Sequence, residues 1–236
     1  MSNQLHEKGY VIFKNACPEI ASPRIIRFMK RVAEKKAGPI FNNTSTNDNR
    51  RLQVQLRPRS NLNVATWISY LESTIRSLHP IDDLRFSEWN ILHSLPGCKR
   101  QQAHADYVPD EAFINKMVEL DSLKNRDKIP LLCLVALEPN TYLDVWEHSI
   151  RTVTQSEETL RELLNPGIER TRIVLQPGDI LIFRPDLVHA GSDYEDENIR
   201  LHVYLDSAEI PRTPNRTFII HKHGGEWLRA MFSRDM

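Results

Sequence analysis

The tripeptide His104-Ala105-Asp106 places an imidazole and a carboxylate two positions apart in the chain. Side chains at positions i and i+2 of an extended segment point to the same face, so a ring nitrogen and a carboxylate oxygen would converge on one ion. With nine histidines and 31 acidic residues among 236, chance alone supplies about one such tripeptide. The motif therefore needs support from another part of the chain.

His189 offers that support, because it ends an apolar run that follows the turn sequence at residues 177–179 and so comes from a separate predicted strand. Two histidines and one carboxylate form the facial set of ligands that suits non-haem Fe(II) and leaves coordination positions open. Structural zinc sites favour closed, cysteine-rich tetrahedra instead. The sequence therefore predicts an iron site at His104, Asp106 and His189. In the alternative interpretation, both histidines are ordinary residues of a sheet.

The stretch from Leu175 to Asp206 connects His189 to a second charged residue. It reads as a strand, a Pro-Gly-Asp turn, an apolar strand, an acidic loop at residues 193–198, and a strand that opens on Arg200. A hairpin of this kind would carry His189 and Arg200 into one cavity. The acidic loop itself is predicted to be a solvated turn.

These residues together resemble the Fe(II)/2-oxoglutarate-dependent dioxygenases, including their phytanoyl-CoA hydroxylase-like and prolyl-hydroxylase-like branches. The features that carry the resemblance are His104-Ala105-Asp106, Pro177-Gly178-Asp179, His189-Ala190-Gly191, Arg200 and the entry segment LHEKGYVIFKN at residues 5–15. The resemblance covers most of residues 84–206. It implies a double-stranded β-helix, or jelly-roll, that holds iron through the three predicted ligands and uses 2-oxoglutarate and O₂ as cosubstrates.

Arg200 stands where this family places the basic residue that binds the distal carboxylate of 2-oxoglutarate. A guanidinium makes a bidentate, charge-assisted pair with a carboxylate, whereas an ordinary surface arginine is the alternative. His202 lies two positions further on the same strand face, where some relatives carry serine, and is predicted to donate a second hydrogen bond. Gln102 and Asn90 are predicted by alternation to reach the cosubstrate or a metal-bound water, with plain packing as the alternative for both.

For the reaction, the resemblance implies hydroxylation of a C–H bond with release of succinate and CO₂, and we predict a small-molecule substrate. A protein side chain is the first alternative, although many such hydroxylases carry lysine in place of Arg200. Nucleic-acid demethylation of the AlkB type is less favoured, because Asp206 and His202 occupy positions where that family has a second arginine and an asparagine. The contrasting class is a non-catalytic jelly-roll that only binds a ligand.

The amino-acid composition limits the kinds of binding partner that the protein is expected to have. The 31 basic and 31 acidic residues balance, which gives no overall attraction to nucleic acid or membrane. Residues 1–60 nevertheless hold twelve lysines or arginines and four acidic residues, a pattern typical of a solvated helix face or of an anionic partner. Three scattered cysteines, no secretory leader and no apolar run of about 18 residues predict a cytoplasmic protein without a membrane-spanning segment.

The elements that must position these residues form one predicted domain that is mainly β with added helices. Residues 1–83 would supply a strand and helical support, residues 84–206 the β core, and residues 207–236 an extension whose His221 and His223 are predicted to be an exposed polar tail. Residues 42–49 are predicted to form a loose loop or lid. The predicted helices begin at Pro23, Asn63, Glu111 and Thr154, and the predicted strands cover 10–13, 84–94, 99–107, 129–139, 141–149, 170–175, 179–184 and 200–206.

Overall fold

The structure, a computed structural model, describes residues 4–36, 38–39, 49–57, 61–79, 81–107, 111–122, 125–147, 149–150, 170–212 and 218–219. It is mostly antiparallel β-sheet with a few helices. The helices are α1 (Gln4–Lys8), α2 (Pro23–Lys36), α3 (Leu62–Leu78) and α4 (Glu111–Ser122). The strands are β1 (Tyr10–Phe13), β2 (Gly38–Pro39), β3 (Arg51–Gln55), β4 (Leu84–Ser94), β5 (His104–Ala105), β6 (Leu131–Ala136), β7 (Thr141–Val145), β8 (Thr171–Leu175), β9 (Ile180–Phe183), β10 (His189–Gly191), β11 (Asn198–Ser207) and β12 (Phe218–Ile219).

The strands form two sheets. Seven strands pair in the order β1-β9-β6-β11-β4-β3-β2, and five pair in the order β12-β5-β10-β7-β8. Most sheet neighbours are distant in sequence, so each sheet is assembled from crossovers rather than from successive hairpins. The two predicted metal-ligand strands, β5 and β10, lie next to each other in the five-stranded sheet.

Helices α2 and α3 cover the outer face of the seven-stranded sheet. Met29 of α2 and Leu71 of α3 belong to one apolar cluster with Leu201 and Val203 of β11. All four side chains are buried, and burial of a side chain of this size stabilises the fold by about 1.5–3 kcal/mol. The predicted helical layer is therefore packed on the sheet. Among the helices that the structure describes, none combines the length and apolar character needed to cross a bilayer.

The inner face of the seven-stranded sheet packs on the five-stranded sheet. Leu132 and Leu134 of β6 share a second apolar cluster with Leu143 of β7 and Ile173 of β8, whereas the alternating residue Cys133 points into the outer cluster. All six residues of β6 are buried. A strand that is covered on both faces reads as a continuous apolar run, which explains the sequence LLCLVA.

Most of the predicted elements are confirmed. Strand β1 has the predicted bounds, and α2 and α4 begin at the predicted residues. Helix α3 begins one residue earlier than predicted, because Asn61 caps it through its side-chain oxygen, which accepts from the Asn63 and Val64 amides. Residues 42–48 of the loop predicted at 42–49, the helix predicted from Thr154, and His221 and His223 lie outside the described residues.

One predicted strand near the site was wrong in its extent, and one strand was missed. The strand predicted at residues 99–107 is reduced to His104–Ala105, because residues 99–103 bond irregularly to the segment after His189. The Gln101 amide, for example, donates to the Gly191 carbonyl at 2.9 Å. Strand β3 was not predicted at all, although Arg51-Leu52-Gln53-Val54-Gln55 has the alternation of a half-buried strand.

Helix α4 is fastened beside the site by apolar packing and by a buried charge cluster. Phe113 of α4 packs on Tyr107, with ring centroids 5.7 Å apart. The Arg184 side chain is 1% exposed. Its guanidinium makes a bidentate pair with the Asp121 carboxylate of α4 at 3.0 and 3.1 Å and also donates to both Asp186 carboxylate oxygens at 2.8 Å. Because Asp186 lies in the loop that leads to β10, this cluster links α4 to the strand that carries His189.

The Pro-Gly-Asp turn between β8 and β9 depends on Asp179, which is 2% exposed. Its carboxylate accepts from the Asn15 amide at 2.8 Å, the Gln176 amide at 2.9 Å and Lys14 Nζ at 2.8 Å. Burial alone would raise the pKa of Asp179, but these three donors outweigh burial and hold the pKa below its usual value.

We expect Asp179→Asn to lower the free energy of unfolding by about 1–3 kcal/mol at pH 7, because an amide accepts fewer of these bonds. A lowered folded-state pKa stabilises the fold above the unfolded value of about 4, and that stabilisation is lost as the pH falls through the lower folded value. The difference between parent and variant should therefore be constant from pH 7 to 5 and shrink towards pH 3 in urea unfolding. Asp82→Asn, at an exposed carboxylate, is the control and should change stability by less than about 0.5 kcal/mol. A difference for Asp179→Asn that stays constant down to pH 3 would contradict this account.

Candidate metal centre and anion pocket

Antiparallel pairing of β5 with β10 sets His104 directly opposite His189. The two ring centroids are 4.5 Å apart. Asp106 follows β5 and directs its Oδ1 towards both rings, 3.9 Å from His104 Nε2 and 3.8 Å from His189 Nε2. One ligand atom from each of the three residues lies within 4.8 Å of the others. The structure therefore brings together all three predicted metal ligands.

The outer nitrogens of both histidines are held by backbone carbonyls. His104 Nδ1 lies 2.6 Å from the Gln102 carbonyl and His189 Nδ1 lies 2.9 Å from the Leu187 carbonyl. A carbonyl only accepts, so each Nδ1 carries the proton and each Nε2 directs a lone pair into the gap between the ligands. Burial, followed by the neighbouring His189, lowers the pKa of His104 to about 3. A neutral imidazole with an oriented partner is the form that binds a metal ion.

The three ligands open into a cavity of about 600 Å³, counted with its open mouth. Apolar side chains from both sheets form one wall, including Leu134, Leu143 and Phe183. The polar part of the wall includes Arg200 and His202. A cavity with mostly apolar walls and a few convergent polar groups is the usual form of a small-molecule site.

Arg200 lines this cavity and is 2% exposed. Its Nη1 donates to Ser94 Oγ at 3.1 Å and to Asn198 Oδ1 at 3.4 Å, and its guanidinium lies 5.2 Å from the centre of the Tyr194 ring. Among the described residues, these partners are all neutral and no carboxylate forms an ion pair with Arg200. A buried charge without a counter-charge is costly, so the pocket is suited to an anionic ligand.

His202 shares the cavity face of β11 with Arg200. Its ring packs edge-on against Tyr204, with centroids 4.8 Å apart, and makes no hydrogen bond to any described residue. Burial lowers the pKa of His202 to about 4, and Asp106 opposes this shift only partly. The neutral ring offers one N–H donor and one lone pair to a bound ligand.

The other two predicted residues stand apart from the cavity wall. Gln102 Oε1 is buried without a hydrogen-bond partner in the described part of the chain, and Gln101 lines the cavity in its place. Asn90 faces inward, as Trp89 packs on the helical side, but its Oδ1 accepts from Gln53 Nε2 at 3.0 Å. Gln53 is the residue that reaches the cavity, and sequence reasoning missed it together with β3.

A polar network supports the wall beside Tyr204. Arg212 stacks 3.8 Å over the Tyr204 ring, donates to Asp206 at 3.2 Å and pairs with Glu88 at 3.0 Å. The Tyr107 hydroxyl also donates to Asp206, at 3.4 Å. The Asp206 carboxylate is thus engaged by neighbouring side chains, and the network fixes Tyr204 against the cavity.

The acidic loop at 193–198 lines a separate outer cavity together with Glu138 and Arg172. Its end residues are paired: Asp193 bonds Arg172, and Glu197 accepts from Lys30 at 2.5 Å. The loop is therefore held by ion pairs at both ends, in addition to being the turn that the sequence predicted.

No protein-family model matches the chain, and no curated protein matches it by sequence. Solved structures do match. The epimerase SnoN, solved with Fe³⁺, alpha ketoglutarate and nogalamycin RO, is similar at a TM-score of 0.62 and 13% identity over 90% of this chain and 84% of that one. A prolyl-4-hydroxylase of Pseudomonas putida follows at a TM-score of 0.58 and 11% identity over 87% and 96%.

HygX from Streptomyces hygroscopicus, solved with nickel and 2-oxoglutarate, is similar at a TM-score of 0.53 and 11% identity over 88% of each chain. At such low identities the likeness establishes the architecture. This chain therefore has the fold of SnoN, a non-haem alpha ketoglutarate dependent epimerase, of the Pseudomonas putida prolyl-4-hydroxylase, and of HygX.

Proposed function

We propose that the protein is an Fe(II)- and 2-oxoglutarate-dependent oxygenase that hydroxylates a C–H bond of a small molecule. The observation that carries this proposal is the placement in one cavity of two imidazole Nε2 atoms and a carboxylate oxygen with a buried arginine that has no acidic partner among the described residues. The shared fold supports the same conclusion. On this proposal the two sheets are the halves of a double-stranded β-helix within a single domain.

His104, Asp106 and His189 would hold the metal. Their nitrogen and carboxylate donors suit Fe(II) better than a closed, sulfur-rich zinc site, and the two carbonyls on Nδ1 already orient both rings. When bound, iron with 2-oxoglutarate and O₂ supplies the oxidising chemistry, which converts the C–H bond to C–OH and releases succinate and CO₂.

The remaining polar residues would bind and orient the cosubstrate. Arg200 pairs with the distal carboxylate, since its guanidinium has N–H groups beyond those bonded to Ser94 and Asn198. His202 donates a second hydrogen bond from the same strand face. The apolar wall around Leu134 and Phe183 excludes water, which strengthens these electrostatic contacts. Asn90 would act behind the wall through Gln53, which donates to its Oδ1 at 3.0 Å.

The substrate class is proposed from what the site contains and from the structural neighbours. The cavity is lined mostly by apolar side chains with a few polar groups, which favours a small molecule over a folded protein surface. One neighbour is solved with hygromycin B and another with a peptide of hypoxia inducible factor, so this fold accepts both classes. A nucleic-acid demethylase of the AlkB type has a second arginine at the position of Asp206. Asp206 is instead an anion whose carboxylate is bonded to Arg212 and Tyr107, so nucleic acid is the least favoured substrate.

A screen of metabolites and peptides tests the proposal. Purified full-length protein with Fe(II), O₂ and ascorbate should convert 2-oxoglutarate to succinate, and one substrate class should accelerate this turnover. Mn²⁺ and 2-oxoglutarate added together should raise the thermal midpoint of unfolding more than the sum of the separate additions. Coupled binding without succinate would indicate a non-catalytic binding module, and the absence of both responses would overturn the proposal. If peptides accelerate 2-oxoglutarate turnover and metabolites do not, the substrate is a protein side chain and not a small molecule.

A further inference from the structure

Arg51, on the unpredicted strand β3, is a second arginine buried beside the site, with 1% of its surface exposed. Its Nη2 donates to the Lys99 carbonyl at 3.0 Å, the Gly191 carbonyl at 3.3 Å and the Ser192 carbonyl at 2.5 Å. Lys99 lies in the segment that leads to His104, and Gly191 ends the strand that begins at His189. One guanidinium therefore joins the two segments that carry the metal ligands.

Gly191 shows that the backbone is shaped around this contact. A Cβ atom added at Gly191 would lie 2.7 Å from Arg51 Nη1 and 2.4 Å from Gln101 Oε1, distances that real Cβ atoms do not show. The absence of a side chain lets the guanidinium approach the strand two residues after His189. Gln101 uses the same space, because its Oε1 accepts from the Gly191 amide at 2.9 Å.

Ser94 connects Arg51 to the anion pocket. In the sheet, Ser94 lies opposite Arg51 on one side and opposite Asn198 on the other. Its hydroxyl oxygen accepts from Arg51 Nη1 at 3.4 Å and from Arg200 Nη1 at 3.1 Å. A serine oxygen has two lone pairs, and both are thereby occupied. The hydroxyl proton is left to donate, and the described residues offer it no acceptor.

We propose that Arg51 is a positioning residue of the site, which acts on Arg200 through Ser94 and on the two metal-ligand segments through the Lys99, Gly191 and Ser192 carbonyls. By donating to the same hydroxyl oxygen as Arg200, Arg51 fixes Ser94 beside the guanidinium that pairs with the distal carboxylate of the cosubstrate. The inference rests on the proposed function, because it assigns the anion to 2-oxoglutarate.

Two variants separate the two roles. Ser94→Ala removes only the hydroxyl, so we expect the dissociation constant of 2-oxoglutarate to rise about tenfold and that of Mn²⁺ to stay as in the parent. Arg51→Gln loosens the ligand segments as well, so both constants should rise about tenfold or more. Arg51→Lys keeps the charge but lacks the planar fork, and should recover part of the 2-oxoglutarate affinity. Calorimetry on the full-length chain measures Mn²⁺ alone and then 2-oxoglutarate with Mn²⁺ present.

The double variant tests whether Arg51 acts through Ser94. If it does, the loss of 2-oxoglutarate affinity in Arg51→Gln/Ser94→Ala is smaller than the product of the two single losses. Arg76→Gln is the control, since the Arg76 guanidinium bonds the Ile81 carbonyl at 3.4 Å and lies 5.0 Å from the centre of the Phe86 ring, away from both metal-ligand segments. It should leave both dissociation constants unchanged.

Parental 2-oxoglutarate affinity in Ser94→Ala overturns the inference, even if Arg51→Gln does not fold. Fully multiplicative losses in the double variant, or an equal affinity loss in Arg76→Gln, also overturn it. A parent protein that binds neither Mn²⁺ nor 2-oxoglutarate instead overturns the proposed function, so the two failures are distinguishable.

Discussion

Replacing Asp106 by alanine is expected to remove metal binding and turnover together while the protein stays folded. The carboxylate is the one anionic donor among the three predicted ligands, and its Oδ1 lies 3.8–3.9 Å from both histidine Nε2 atoms. Loss of groups that merely support a ligand already weakens metal affinity by about 10–100-fold. We therefore expect the Mn²⁺ dissociation constant of Asp106→Ala to rise more than about 100-fold in calorimetry.

The fold should survive because Asp106 makes no hydrogen bond to any described residue, so alanine leaves no polar group without its partner. Asp121→Asn is the matched control. The Asp106 and Asp121 side chains are both 11% exposed, but Asp121 lies on α4 and binds Arg184 there instead of facing the two histidines. That variant should unfold at a lower temperature and still bind Mn²⁺ as the parent does. If Asp106→Ala binds Mn²⁺ with the parental affinity, Asp106 is not a metal ligand and the assignment of the site to iron fails.

The alternation of β11 shows how much of the site could be predicted. The two-residue alternation of a strand correctly placed Arg200 and His202 on one face of β11 and Leu201 on the other. The alternation holds because helices cover the outer face of this strand. The same rule placed His104 but failed for Gln102. Residues 99–103 do not extend the strand, so their side chains do not alternate and Gln101 reaches the cavity.

Arg51 shows what the periodicity of the sequence could not predict. Its neighbours alternate as in a half-buried strand, which is a local signal that could have revealed β3. Its function as inferred depends on contacts with Ser94, Lys99 and Ser192, which are 43, 48 and 141 residues away in the chain. No periodicity encodes such distances, since they follow from the crossovers that order the strands within each sheet.

The resemblance bridged part of that gap. It supported the grouping of His104 with His189 across 85 positions, and the structure sets these two residues opposite each other in adjacent strands. The motifs that carry the resemblance do not include Gln53, Gln101 or the Arg212 network. These residues reach or support the cavity through side-chain packing.

Arg200→Gln is expected to weaken 2-oxoglutarate binding by about 2–4 kcal/mol, or roughly 30- to 1000-fold, with metal affinity unchanged. Truncation removes a charge-assisted pair inside a cavity where water competes poorly. Arg200→Lys should fall between parent and glutamine, because an ammonium keeps the charge but forms no planar fork. The effect should appear in the KM for 2-oxoglutarate far more than in kcat at saturation, as measured by succinate formation.

Arg172→Gln provides the matched control for this prediction. Both guanidiniums stack on a tyrosine ring at nearly the same distance, 5.3 Å for Arg172 over Tyr142 and 5.2 Å for Arg200 over Tyr194, but Arg172 pairs with Asp144 outside the cavity. Its loss should reduce stability and leave the KM for 2-oxoglutarate unchanged. If Arg200→Gln keeps a parental KM, the buried guanidinium serves the Ser94 and Asn198 contacts alone, and the anion of the proposed reaction must bind elsewhere in the cavity.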